Sequence, residues 1–233
     1  MAKLIVIPTP IGNLGDITLR AIKALSEVEV IMCEDTRTTG NLMRHLNISK
    51  PLIAYHLNNE HKALQRFIEK IESCELVGLT SDAGTPGISD PGFLIIRECI
   101  RLGIEVECLP GPTALIPAIV ASGLPCDKFL FYGFLPHKKG RQTAFKELSQ
   151  LEYTIVFYES PHRLVKTLEQ SIEFFGGERR ACVVREISKI YETYKRETLE
   201  DLLQFYQNQT VKGEIVLVVE GINEKKVKGL VLE

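Results

Sequence analysis

Apolar residues recur along this chain in two rhythms. Short apolar runs at 3–8, 28–33, 52–55, 75–80 and 104–109 read as strands. Between them the apolar positions fall at helical spacing. Leu19, Ile22 and Leu25 follow Asp16, which reads as an N-cap, and Leu64, Phe67, Ile68 and Ile71 recur at i, i+3, i+4 and i+7. A further helix reads from Pro112 to Ser122 and stops at Gly123. Strands separated by helices predict a mainly parallel sheet with helices on both faces.

The rhythm changes after Gly123-Leu124-Pro125, which marks a boundary between an N-terminal α/β domain over 1–123 and a C-terminal domain over 124–233. Strand patterns follow at 128–133, 153–158, 181–186, 191–197 and 214–220, with helices at 140–149, 161–175 and 199–207. Ser160-Pro161 reads as a helix start, Gly176-Gly177 as the matching stop, and Thr198 with Asp201 as a capping box. The strands around 181–197 have no helix between them, so they should form hairpins in a mixed sheet of α+β character. The tail from Asn223 to Glu233 is charged, then briefly apolar, and reads as a frayed end or a small added element.

Composition narrows the class. The chain has 233 residues, 45% of them hydrophobic and 25% charged, as in ordinary globular proteins. A net charge of -2 argues against coating nucleic acid by bulk electrostatics, so any such contact must come from a local patch. Six cysteines form no CxxC pair and several sit in apolar runs; they read as buried free thiols of a reducing cytosol, with no metal site. No apolar run approaches the roughly 20 residues that cross a bilayer. The N-terminal strand stops at Pro8, too short for a signal peptide. The expectation is a cytoplasmic protein.

The densest chemical signal is Ser81 to Gly92, SDAGTPGISDPG, directly after a strand-like run. Glycine admits close approach to the main chain and proline stiffens it. Asp90-Pro91 reads as the cap and first-turn proline of the next helix. Two more Gly/Pro turns, at 8–15 and 109–114, each follow a strand. Strands of a parallel sheet point one way, so the three turns can converge at one edge, where open α/β sheets bind ligands. Each turn alone also reads as an ordinary connection. Neither GxGxxG in the first turn nor GxxxxGK[ST] anywhere is present, which weakens dinucleotide and nucleoside-triphosphate readings. Glu34-Asp35-Thr36-Arg37 and His56 to Glu60 follow other strands; they read as cleft residues or as solvated caps. His137-Lys138-Lys139-Gly140-Arg141 follows the aromatic stretch Phe131 to Pro136, a pairing suited to a nucleic-acid backbone and its bases, or to a solvated helix start. Phe157 to Arg163 could present Tyr158, His162 and Arg163 to a substrate, and Gly213 of Lys212-Gly213-Glu214 could admit a ligand or end a turn.

Taken in order, NLGDIT (13–18), EDTR (34–37), SDAGTPGISDPG (81–92), LPGPTA (109–114), GFLPHKKGR (133–141), FYESPHRL (157–164) and KGEIVLVVEG (212–221) resemble the ribosomal RNA small-subunit methyltransferase I family, of the tetrapyrrole methylase (class III methyltransferase) superfamily. The resemblance covers nearly the whole chain. It implies a two-domain α/β fold binding S-adenosylmethionine in the cleft that the second domain closes, with S-adenosylhomocysteine as product, and a homodimer. The activity it implies is 2′-O-methylation of a cytidine ribose in small-subunit (16S) ribosomal RNA, presented in the assembled particle. It carries cofactor contacts to Ile11, to Asp82, Ala83, Gly84 and Thr85, to Thr113 and Ala114, and to Tyr158. Many relatives continue into a helical extension, whereas this chain ends a dozen residues after VVEG.

A ribose hydroxyl reacts once its proton moves, so a base is expected; Glu34, Asp35, Glu60 and Glu186 are the candidates. Arg37, Lys138, Lys139, Arg141 and Arg163 are the candidate RNA contacts. Two other readings stay open: a class III methyltransferase acting on a tetrapyrrole or protein side chain, and a non-catalytic RNA-binding assembly factor.

Overall fold

The structure is a computed structural model that describes residues 2–56 and 59–222. Leu57 and Asn58, and the tail from Asn223 to Glu233, lie outside the described residues. The chain forms two compact units, Met1–Thr113 and Ala114–Glu233.

In the first unit, β1 (Lys3–Val6), β2 (Val30–Cys33), β3 (Leu52–Ala54), β4 (Leu76–Thr80) and β5 (Glu105–Cys108) form one sheet in the order β3-β2-β4-β1-β5. Every pairing is parallel. Helices α1 (Leu19–Glu27), α2 (Thr36–His45), α3 (Glu60–Glu72) and α4 (Phe93–Arg101) lie between the strands in sequence. Successive strand side chains point to opposite faces, and both faces here are apolar. Leu4, Val6, Val30, Met32, Val77 and Leu79 pack with Phe67, Ile68 and Ile71 of α3 and Ile95 and Cys99 of α4. Ile5, Ile7, Ile31 and Cys33 pack with Ala21, Ala24 and Leu25 of α1 and Met43 of α2. The unbroken apolar strands of the sequence are therefore strands covered on both sides.

Two helix starts differ from the sequence reading. Thr18, not Asp16, caps α1, its Oγ1 accepting from the Ala21 N–H at 3.0 Å. Asp16 ends a 3-10 turn, Leu14–Asp16, that Asn13 caps. α4 begins at Phe93 rather than at Asp90-Pro91. The Pro91 carbonyl accepts from Gly87 N–H at 3.1 Å, which holds that pair inside the loop.

The second unit opens with α5 (Leu115–Ser122), ended by Gly123 in the left-handed region at φ 77°. Then come β6 (Phe129–Phe134), α6 (Arg141–Leu148), β7 (Thr154–Glu159), α7 (Leu164–Phe175), β8 (Arg180–Arg185), β9 (Thr193–Thr198), α8 (Leu199–Tyr206) and β10 (Ile215–Val219). The sheet order is β6-β7-β10-β8-β9. β6 pairs parallel with β7 and the other pairs are antiparallel, so the sheet is mixed, with β8 and β9 as the expected hairpin. Phe145, Leu168 and Leu202 of the helices pack on Phe157, Val183 and Leu217 of the strands.

α5 packs on β8 and β10, and the Arg196 guanidinium of β9 donates to the Ala121 carbonyl at 2.6 Å. The division between the units thus precedes this helix, at Thr113/Ala114, where the sequence pattern puts it after Gly123. α7 starts at Leu164; Ser160 and Pro161 sit in a preceding turn in which Arg163 N–H donates to the Ser160 carbonyl. Cys108 and Cys126 are exposed, whereas Cys33, Cys74, Cys99 and Cys182 are buried as the apolar runs imply. Among the described residues no helix is long and apolar enough to cross a membrane.

Candidate functional site

β4, β1 and β5 are adjacent in the sheet, so the three Gly/Pro turns leave it side by side. They are joined by main-chain contacts. Thr9 and Gly84 exchange two backbone hydrogen bonds, each 2.9 Å, tying the first turn to the long loop. Thr9 Oγ1 donates to the Ser81 carbonyl at 3.1 Å. Thr85 Oγ1 donates to the Pro112 carbonyl at 3.4 Å, which ties the long loop to the third turn. At Gly111 an added Cβ would lie 2.6 Å from Cβ of Pro8, so the first and third turns touch only because position 111 has no side chain. Gly84 holds φ +81°, a conformation glycine adopts without strain, with Ile11 packed against it.

This edge thus gathers Ile11 and the Asp82 to Thr85 stretch, and Thr113 follows the third turn. Ala114 is the N-cap of α5 at the start of the second unit. Among the described residues, Thr80 Oγ1 at the end of β4 is buried with no hydrogen-bond partner, as is His56 Nδ1 beyond β3. Buried polar atoms are almost always paired, so this edge has hydrogen-bonding capacity that the protein itself does not use.

The acids behind β2 and β4 are interlocked. Asp82 Oδ1 accepts from the Asp35 backbone N–H at 3.0 Å, and Asp82 acts on the Glu34 carboxyl, its charge raising the pKa and its backbone lowering it. Burial, and then the Asp82 charge, push the Glu34 carboxyl above the usual range. Burial and the Asp35 charge push Asp82 the same way, although the Asp35 N–H opposes it. Asp35 is held down to about 2 by the Arg37 guanidinium, 2.6 Å away, and by the Arg37 backbone N–H that it caps. A carboxyl whose folded pKa is raised contributes stability below its ordinary pKa, and that contribution is lost as pH rises through the raised value. Glu34→Gln is therefore expected to gain stability relative to the wild type between pH 5 and pH 8, read by urea unfolding. An identical difference at both pH values would refute the assignment.

The remaining candidates have other partners. Glu60, 7% exposed, accepts from the Tyr55 hydroxyl at 3.1 Å. Glu186 belongs to the second unit, at φ 55°. Its Oε1 takes Lys189 Nζ and the Glu214 N–H, each at 2.9 Å, and Lys189 holds its carboxyl below the usual range. Tyr158 is half-buried, edge-on to Phe131 and Phe134.

Lys138 and Lys139 are exposed, on the turn after edge strand β6, whose Tyr132 and Phe134 are also exposed. Arg37 is exposed and paired with Asp35. Arg141 corrects the sequence reading: it is 5% exposed and does not extend the basic surface. It donates to Gln170 Oε1 and Thr167 Oγ1 at 2.7 Å and to the Pro136 carbonyl at 3.2 Å. Arg163 is largely committed as well, 2.8 Å from Glu159 and 3.1 Å from His137 Nδ1.

A cavity of about 290 Å³ lies beside these acids, with Thr9, Asn13, Thr38, Asn41, His45 and Asp82 among apolar lining residues such as Pro10, Leu14 and Leu42. Sequence reading passed over it, although Thr38, Asn41 and His45 recur at i, i+3 and i+7 on α2.

The sequence matches the family described as tetrapyrrole (corrin/porphyrin) methylases over residues 3–203. It is 46% identical over 222 residues to a protein of Synechocystis sp. named ribosomal RNA small subunit methyltransferase I, covering 95% of this chain and 80% of that one. A protein of the same name from Thermotoga maritima is 42% identical, covering 95% of this chain and 99% of the other. Among solved structures, a uroporphyrin-III C-methyltransferase of Thermus thermophilus, complexed with S-adenosylhomocysteine, superposes with a TM-score of 0.67 at 18% identity, covering 94% and 97% of the two chains. That likeness is one of fold.

Proposed function

The chain belongs to the tetrapyrrole (corrin/porphyrin) methylase family and, within it, to the ribosomal RNA small subunit methyltransferase I family, and we propose that it uses S-adenosylmethionine to methylate the 2′-oxygen of a cytidine ribose in small-subunit (16S) ribosomal RNA. What supports the reading most is the joining of three stiff turns on adjacent strands of a chain whose relatives carry that name over 95% of its length.

The residues at the edge fit that cofactor. Main-chain groups of the Asp82 to Thr85 loop and of the turn before Thr113 and Ala114 offer donors and acceptors, Ile11 offers an apolar wall, and Thr80 Oγ1 has no partner among the described residues. When bound, S-adenosylmethionine supplies a methyl group already activated by its positively charged sulfur. The protein's task is then chiefly alignment of the acceptor oxygen, and rigid turns suit it.

Glu34 is the base this reading selects. Its raised carboxyl is a stronger proton acceptor than Asp35, which Arg37 holds down, or Glu186, which Lys189 holds down. Glu60 is buried against Tyr55. Lys138 and Lys139, beside Tyr132 and Phe134, supply the exposed cations and rings that an RNA strand requires, with Arg37 as a further contact. The same proposal takes the assembled small subunit as substrate and a homodimer in the cytoplasm as the working form. Exposed Phe93 and Ile100 on α4 support an apolar association surface.

The test incubates the protein with methyl-labelled S-adenosylmethionine and small subunits lacking the modification. Label is expected in the RNA, within an alkali-resistant dinucleotide containing cytidine, because a 2′-O-methyl group removes the hydroxyl that alkaline cleavage needs. Label in a base, in protein or in a tetrapyrrole would sink the reading. Cofactor binding without transfer would leave a non-catalytic assembly factor instead.

A further inference from the structure

The second unit contains a cavity of about 470 Å³ where the β8–β9 hairpin meets the C-terminal end of α8 and the segment leading into β10. The volume is within the range of small-ligand pockets, roughly 300–1,000 Å³. Three cations line it, Arg185, Lys195 and Lys212, and none of the lining side chains is acidic. Tyr194, Phe205 and Tyr206 supply rings. Tyr206 is buried, with the half-exposed Phe205 edge-on to it at 4.9 Å. Lys195 Nζ lies 4.7 Å from the Phe205 ring centroid.

The cations differ in how they are held. Arg185 donates to the Lys212 carbonyl at 3.2 Å and to the Tyr191 carbonyl at 3.1 Å, so its guanidinium is fixed in place without a carboxylate partner on either bond. Lys212 is exposed. Lys195 has a neighbouring carboxylate, Glu197 at 3.4 Å, but the pair is open to water, and such pairs contribute little. A wall of fixed and mobile cations, with the Glu197 carboxylate at its rim open to water, beside the exposed Phe205 ring matches one ligand chemistry closely: a phosphate joined to a flat ring.

We propose that this cavity binds one nucleotide of a single-stranded RNA segment, with its phosphate on Arg185 and Lys212 and its base against Phe205. The inference rests on the RNA reading above and extends it to a second contact, separate from the Lys138-Lys139 turn. An unpaired nucleotide is required because a paired base cannot enter a cavity, and aromatic stacking accepts any base.

The test uses the full chain and a fluorescein-labelled single-stranded hexauridylate, with affinity measured by anisotropy across a salt series. Lys212→Ala is expected to weaken binding several-fold and to flatten the log–log salt slope by about 0.7, the contribution of one phosphate contact on a single strand. Phe205→Ala is expected to weaken binding about tenfold with the slope unchanged. A 4-thiouridine version of the probe should cross-link to the peptides holding Tyr194 or Phe205. Thermal unfolding and S-adenosylmethionine affinity should match the wild type, which separates lost contact from lost fold. Wild-type binding that the variants leave unaltered, or cross-links confined to other peptides, overturns the cavity assignment alone. Displacement of the probe by poly-aspartate as readily as by RNA overturns it in favour of an acidic protein segment. A wild-type chain that binds neither hexauridylate nor small subunits overturns both this inference and the function it rests on.

Discussion

Gly111→Ala is expected to lower S-adenosylmethionine affinity about 100-fold, or about 2.7 kcal/mol, and to abolish methyl transfer at ordinary cofactor concentrations. The added Cβ would sit 2.6 Å from Cβ and 2.9 Å from Cγ of Pro8. A proline ring cannot rotate away, so the backbone of one turn must move from the other. The first turn is bonded to the long loop through Thr9 and Gly84, and the long loop to the third through Thr85, so the displacement reaches all three. Gly103→Ala is the control. Its φ of +73° makes it a strained substitution, costing about 1 kcal/mol, but nothing lies within 4 Å of the new atom. It should lower stability and leave cofactor affinity alone. Titration calorimetry reads both variants, and unaltered affinity in Gly111→Ala would show that the turns do not act as one cradle.

Glu159→Ala is expected to destabilise the second unit by roughly 3–5 kcal/mol, the usual cost of stranding a buried charge. The Glu159 side chain is fully buried. It accepts from Thr167 Oγ1 at 2.6 Å and from the Ser160 N–H at 2.7 Å, and it pairs with Arg163 at 2.8 Å. Arg141 lies 3.9 Å away, and its charge is disfavoured by burial and favoured by Glu159. Removing the carboxylate leaves that guanidinium with neutral partners only. The double variant Arg141→Met/Glu159→Ala should lose less than the Arg141→Met and Glu159→Ala losses combined, because each removes the other's partner. Urea unfolding measures all four proteins, and additive losses would mean that the two side chains are not coupled.

Arg141 also shows what was hidden in the sequence. It stands in a five-residue run with His137, Lys138 and Lys139, and local reading treats the run as one patch. Gly140, in the left-handed region at φ 84°, ends the turn and starts α6 at Arg141. That side chain then meets Thr167 and Gln170 of α7, partners more than twenty residues ahead. The same limit explains the base candidates. Glu34, Asp35, Glu60 and Glu186 are equal as residue types, and only their neighbours raise one, lower two and bury another beneath a tyrosine. The helices begin downstream of Asp16, Asp90-Pro91 and Ser160-Pro161 because cap-forming residues also serve loops, and which they serve depends on bonds made to other segments.

The sequence by itself determined the alternation of strands and helices, the change of rhythm past position 123, and the positions of the stiff turns. Those properties follow from side-chain periodicity and from backbone freedom at glycine and proline, which are local. Tertiary structure alone decided that β4, β1 and β5 are neighbours, that Asp82 locks onto Glu34 and Asp35, and that Arg141 faces inward. Strand order and charge environment depend on residues far apart in the chain, and no local pattern encodes them.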